Sequence, residues 1–157
     1  KADYVKNFIT ELCAGTNTNV RECMRNSKCL SADVNAAFDP TYPEVFEKRN
    51  TTKLNYGAII MKYSGSGGKY DTNDANAEFL GQIRKILDDN HVIWQTGELG
   101  KVDAGGGGTV AKYVAAMDID VVDLGVGVLS MHAPYEIVSK LDVYMTHRAI
   151  ECFLREA

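Results

Sequence analysis

Between Asp3 and Cys13, the apolar residues Tyr4, Val5, Phe8, Ile9 and Leu12 fall on one stripe at helical spacing, which predicts an amphipathic helix. The polar run AGTNTN breaks that pattern, and Val20 to Asn26 can form a second, short helical turn. CLSADVNAAF, Cys29 to Phe38, starts as a strand and continues as an extended segment carrying Asp33. Pro40 and Pro43 then open a long excursion, DPTYPEVFEKRNTTKLN, longer than connections usually are. Long ordered loops tend to carry function or to cover something.

YGAIIMKY, Tyr56 to Tyr63, reads as a strand and SGSGGKYDT as a flexible Gly/Ser loop after it. Asn73 to Asn90 predicts a helix, with Phe79, Ile83, Ile86 and Leu87 at helical spacing, and HVIWQ is the next strand. Beyond a run of glycines, Val110 to Met117 is a short helix. VVDLGVGVLSM, Val121 to Met131, is a buried strand leaving toward a loop. Glu136 to Leu154 predicts a long helix with Ile137, Leu141, Tyr144, Met145, Ile150 and Phe153 inward. Strands separated by helices predict an α/β domain, three-layer α/β/α, around a mixed, largely parallel sheet.

At 157 residues the chain is most simply one domain or a contiguous piece of a larger one. A net charge of −4 and no basic run give no electrostatic reason to expect a nucleic-acid partner. No apolar run approaches the ~20 residues that span a bilayer, so no membrane partner is expected. The first residue is Lys1 rather than Met, which predicts a processed, trimmed or excised chain. Cys13, Cys23, Cys29 and Cys152 form no Cys-x-x-Cys pair and no finger-type spacing with histidine. Four free thiols in a cytoplasmic protein is the expectation.

VDAGGGGTVAKY puts four glycines ahead of a threonine and a helix, a pattern that raises the question of phosphate binding. A P-loop needs a lysine directly after its glycines, and none is there. The dinucleotide fingerprint G-x-G-x-x-G fits no register from Gly100 through Gly108, since starting at Gly105 the third required position is Val110. SGSGGKY has a Gly-Lys pair but lacks the leading glycine, and Tyr70 stands where Ser or Thr is needed. Two readings remain: a flexible linker, or a close approach of backbone to something else.

Of the three histidines, His91 falls at a helix-to-strand junction and His147 within a helix, both reading as surface positions. His132 directly follows an apolar strand, and Pro134 stops that strand. The C-terminal end of a strand in an open α/β sheet is where ligands bind, so His132 is either functional or a buried structural histidine. Asp33 emerges from an apolar segment in the same way and is either functional or a turn-capping aspartate. Asp103 is a weaker candidate of that kind. One Asp and one His are too few for a catalytic zinc site, which takes about three protein ligands and a base.

CLSADVNAAFDPTYPEVFEKRN, YGAIIMKYSGSGGKYDTNDANAEF, VIWQTGELGKVDAGGGGTVAKY and VLSMHAPYEIVSKLDVYMT resemble, in order, successive blocks of one family. It is the aminopeptidase I / aspartyl aminopeptidase family of dinuclear zinc exopeptidases, in its bacterial branch. The resemblance implies that Asp33, in the S-A-D block, is a ligand of one zinc, and His132, in the S-M-H block, a ligand of the other. It implies that Gly105, Gly106, Gly107, Gly108 and Thr109 line the substrate at the active-site rim and that Lys62 lies near the substrate pocket. Two zinc ions, or cobalt or manganese in their place, peptide substrates and a homo-oligomeric full-length protein are implied with it. On this view the glycines clear backbone space beside a peptide N-terminus, and valine at Gly106 or Gly107 lowers activity far more than stability.

The family's His-x-Asp block, whose aspartate bridges the metals, and its Glu-Glu pair, which supplies the general base and a ligand, are not in this sequence. Residues 1–157 are therefore expected to be the C-terminal portion of the catalytic domain, without the upstream metal-binding part and the oligomerisation domain, and inactive alone. A non-catalytic α/β module kept for assembly or peptide binding is the alternative. MHAPYE also departs from the M-H-S-I-R-E of aspartyl-specific members, so neutral or hydrophobic N-terminal residues are the expected preference.

Overall fold

The structure is a computed structural model that describes residues 3–157 except 68, 69 and 102. It opens with two helices, α1 (Tyr4–Thr16) and α2 (Val20–Arg25), then two short strands, β1 (Lys28–Ser31) and β2 (Asn35–Ala36). After the long excursion come β3 (Ala58–Met61), the hairpin of β4 (Tyr63–Ser66) and β5 (Tyr70–Asp74), α3 (Ala77–Asp89) and β6 (Trp94–Thr96). The remainder is α4 (Ala111–Ala115), β7 (Asp120–Gly125), β8 (Gly127–Leu129), β9 (Ile137–Val138) and α5 (Lys140–Glu156).

The main sheet runs β1-β7-β3-β6, with β1 parallel to β7, β3 antiparallel to β7 and β6 parallel to β3. The expected mixed, mostly parallel α/β arrangement is present. One face of the sheet carries Ala58, Ile60, Val122 and Leu124 into a core closed by Phe79, Ile83 and Leu87 of α3 and by Ala149 and Cys152 of α5. Alternation along β7 turns Asp123 to the opposite face, where Thr109, at the entry to α4, and Ser64 of β4 meet it. Asn76 starts α3 by accepting the Phe79 N–H at 2.6 Å, which satisfies one of the N–H groups a helix leaves unpaired at its start.

Several expectations need correction. The helix expected from Asn73 starts at Ala77, because Asn73 and Asp74 pair with β4 as part of β5. The apolar run Val121 to Met131 is not one strand: β7 belongs to the main sheet, while β8 joins β2 and β9 in a second sheet. β1 and β7 pair from Lys28 opposite Asp120, and β2 and β8 resume from Asn35 opposite Gly127, so both chains leave the main sheet together. SGSGGKYDT is mostly hairpin rather than loop, with positions 68 and 69 outside the described residues.

The last helix starts at Lys140, not Glu136. Ile137 lies in β9 and is exposed, as are Leu141 and Tyr144, while Met145, Ile150 and Phe153 do pack on the core. The physical reason is Asp142. It occupies the inward position of the first turn, where its carboxylate accepts the N–H groups of Asn55 (2.7 Å) and Gly57 (2.8 Å). α1 forms as expected, yet Tyr4, Val5, Phe8 and Leu12 are each half exposed or more.

Candidate functional site

Asp33 stands in the gap between β1 and β2, beside Gly125 at the end of β7. Its own N–H donates to the Ser31 carbonyl at 3.0 Å and its Oδ1 accepts the Val34 N–H at 2.8 Å, which fixes the carboxylate at the surface with Oδ2 free. His132 is exposed in the loop joining β8 to β9. Its backbone is left-handed, φ 66°, and Ser130 two residues earlier has φ 58°. Such a conformation costs a non-glycine residue roughly 1 kcal/mol or more and is concentrated at functional sites. The His132 N–H donates to Glu136 Oε1 at 2.5 Å, while the imidazole ring has no hydrogen-bond partner among the described residues.

Asp33 and His132 each lie past the C-terminal end of a strand in a parallel pair, the position that α/β folds use for ligands. No hydrogen bond or ion pair joins them. Among the described residues, no three His, Cys, Asp or Glu side chains gather closely enough to hold a metal ion. His91 and His147 are exposed, as expected for surface positions. Lys62, at the bend between β3 and β4, is half exposed and pairs with Asp74.

The glycine run belongs to no strand or helix and packs on its own chain. Gly105 donates its N–H to the Lys101 carbonyl at 2.6 Å, and a Cβ on Gly105 would lie 2.6 Å from the Lys101 nitrogen. Gly106 has φ 110°, a conformation only glycine adopts without strain. A Cβ on Gly107 would press on a Leu99 methyl at 2.9 Å, whereas one on Gly108 would meet Lys112 Nζ at 3.6 Å, an ordinary contact. Gly105 and Gly106 border a small cleft of about 40 Å³ with Tyr63, Ser64, Glu98 and Lys101. That is room for a few waters at most. Burial pushes the Tyr63 phenol above its ordinary range, and the charges of Glu98, Asp103 and Asp74 add to the shift.

Thr109 joins this run to the sheet through Asp123, a residue the sequence reading passed over. The Asp123 side chain is buried, its Oδ2 accepts the Thr109 hydroxyl at 2.9 Å, and its Oδ1 has no partner among the described residues. Burial pushes its carboxyl above the usual carboxylate range. The hydroxyls of Ser31, Thr109 and Ser64 work against that shift, and the Asp33 charge adds to it. Of these hydroxyls only Thr109 closes a hydrogen bond of regular geometry; Ser31 Oγ is buried without one. A signal was available: a lone carboxylate inside the apolar run VVDLGVGVL.

Residues 1–154 match the family described as Aminopeptidase I zinc metalloprotease (M18). The Probable M18 family aminopeptidase 1 of Clostridium acetobutylicum is 50% identical over 147 residues, 93% of this chain and 32% of that protein. The crystal structure of the M18 aminopeptidase from Thermotoga maritima superposes with a TM-score of 0.90 at 43% identity, over 98% of this chain and 35% of that one. A structure described as the S. cerevisiae mApe1 dodecamer, 21% identical over 88% of this chain and 29% of its own, shares the fold with a TM-score of 0.70. The chain thus spans about a third of the length of the curated relatives it matches, 32% of the Clostridium acetobutylicum protein and 30% of a Thermotoga maritima one.

Proposed function

The chain belongs to the aminopeptidase I zinc metalloprotease family, and we propose that the whole protein is a zinc-dependent aminopeptidase that hydrolyses the first peptide bond of its substrates. The observation that carries this reading is the placement of Asp33 and His132. Each lies beyond a strand end, and each leaves metal-binding atoms unengaged by the protein: Asp33 Oδ2 and the His132 ring nitrogens. A carboxylate and an imidazole are donors that suit zinc, and cobalt or manganese as well.

Asp33 would hold one ion and His132 the other. The remaining ligands and the general base would come from the rest of the protein, since this chain is about a third of its relatives' length. The bound metal supplies an activated water and polarises the scissile carbonyl. This chain's own part is to orient the metal through Asp33 and His132 and to line the substrate with Gly105 to Thr109. Lys62, held by Asp74, stands at the edge of the substrate pocket in this reading.

Residues 1–157 are then the C-terminal portion of the catalytic domain and inactive alone. Substrates are peptides with neutral or hydrophobic N-terminal residues. The full protein is a cytoplasmic homo-oligomer, in line with four free cysteines and with the dodecamer described for the yeast protein.

The test is release of the N-terminal residue from a neutral tripeptide by the whole protein, with zinc content measured alongside. Asp33→Ala and His132→Ala should each abolish turnover and each lower the bound zinc. Full activity in either variant would sink the assignment. A folded, zinc-free and inactive wild-type protein would put a non-catalytic module in its place.

A further inference from the structure

The Thr109 hydroxyl is used three times. It lies 2.9 Å from Asp123 Oδ2, 3.2 Å from Ser64 Oγ and 3.3 Å from the Ala111 nitrogen, whose N–H it accepts. A hydroxyl has one proton and two lone pairs. The carboxylate takes the proton, so Ser64 is a donor to Thr109. Ser64 and Asp123 are 4% and 1% exposed. One partly buried relay therefore ties β4, β7 and the first turn of α4 at the point where the glycine run ends.

The other end of the run is fixed too, by the Gly105 N–H on the Lys101 carbonyl. Between these fixed ends, the main-chain N–H groups of Gly106, Gly107 and Gly108 donate to no acceptor among the described residues, and Gly106 and Gly108 are exposed. Burying a carboxylate with one oxygen unpaired is costly, and an apolar residue on β7 would fold at lower cost. The arrangement needs a reason other than stability.

We propose that Asp123 is a positioning residue: through the Thr109 hydroxyl it fixes the end of the Gly106 to Gly108 run, so that the N–H groups there receive main-chain carbonyls of a peptide substrate. Recognition of this kind reads backbone rather than side chains, as when an extended peptide adds to an exposed edge. The proposal rests on the aminopeptidase reading and assigns its substrate rim a mechanism. Glycine suits the rim because a Cβ at Gly105 or Gly107 would meet the chain itself.

The experiment uses the whole protein with Thr109→Val, which keeps the shape and loses the hydroxyl. Removing a charge-assisted hydrogen bond should raise KM for a neutral tripeptide about tenfold or more, with kcat and zinc content little changed. Amide exchange should quicken at Gly105, which the Thr109 side chain does not touch. Thr109→Ser should recover most of the lost affinity, and Asp123→Asn, which keeps an acceptor oxygen, should lose less than Thr109→Val. An unchanged KM, or a rise that Thr109→Ser shares in full, overturns the proposal. If the wild-type protein releases no N-terminal residue, the aminopeptidase reading falls separately. Gly105 exchange then decides whether the anchor exists: unchanged exchange in Thr109→Val removes it, and faster exchange sustains it.

Discussion

Gly125 lies so close against Asp33 that a Cβ on Gly125 would stand 1.4 Å from the Asp33 carbonyl oxygen. The contact occurs where β1 and β7 leave the main sheet together, and the Thr146 hydroxyl of α5 donates to the Gly125 carbonyl at 3.2 Å from behind. No side chain can yield there, because the obstructing atoms are backbone. Gly125→Ala should therefore destabilise the fold by about 3 kcal/mol or more and displace Asp33, lowering bound zinc in the whole protein. Gly81 is the control. It sits inside α3 with nothing within 4 Å of an added Cβ, so Gly81→Ala should stabilise by roughly 0.5–1 kcal/mol. Thermal melts of the two variants should move in opposite directions.

Asp142 ties the start of α5 to the turn before β3. Its side chain is fully buried, and it accepts the N–H groups of Asn55 and Gly57, two residues with left-handed backbone, φ 68° and 89°. Asp142→Ala would take this acceptor from both N–H groups, leaving that of Gly57 buried and that of Asn55 partly buried without it. A loss of about 3 kcal/mol is expected, read as a lower urea midpoint with an unchanged slope. Asp142→Asn, which keeps one acceptor oxygen, should lose less.

The parts of the fold that were legible in the sequence are those set by local spacing. Phe79, Ile83, Ile86 and Leu87 are all buried, and the helix that carries them was readable from their period alone. The period of α1 was equally clear, but it says which face is apolar and not what covers it, so the exposure of Tyr4, Phe8 and Leu12 was not readable. α5 was misjudged because an aspartate, Asp142, takes an inward position that hydrophobic spacing assigns to Leu141 or Tyr144. The break at Gly125 was hidden for a similar reason: its cause is Asp33, far away in sequence. Asp33 and His132 stood out because a polar residue at the end of an apolar run is visible locally. Asp123 sits inside such a run, and its partners Thr109 and Ser64 come from other segments.

The four glycines of the run should not respond alike. Gly106 needs its φ of 110°, and Gly105 has no room for a Cβ against the Lys101 backbone. Substitution at either position costs stability as well as activity, which makes valine at Gly106 a poor probe of the rim. Gly108 is exposed and would tolerate a Cβ. Gly108→Ala should leave the melting temperature of the whole protein within about 2 °C of wild type, while Gly105→Ala should melt clearly lower. If both melt alike, the run is a linker and the crowding at Gly105 is relieved by movement of its neighbours.

Asp123 gives the fold a pH dependence whose sign is fixed by its surroundings. Burial is the main cause that raises its carboxyl above the ordinary value, and the Asp33 charge adds to it against the Ser31, Thr109 and Ser64 hydroxyls. The folded chain therefore keeps this proton to a higher pH than the unfolded chain does. Between the ordinary carboxylate value and the raised one, the folded state binds more protons, so this group's contribution to stability falls as pH rises and is level above that window. Asp123→Asn removes the titration and keeps an acceptor for Thr109. Its stability relative to wild type should accordingly grow as pH rises through the window and then hold constant, measured by urea unfolding from about pH 4 to about pH 8. The opposite slope, with the asparagine variant losing ground as pH rises, would mean that the hydroxyls outweigh burial and that the Asp123 charge is stabilised where it stands.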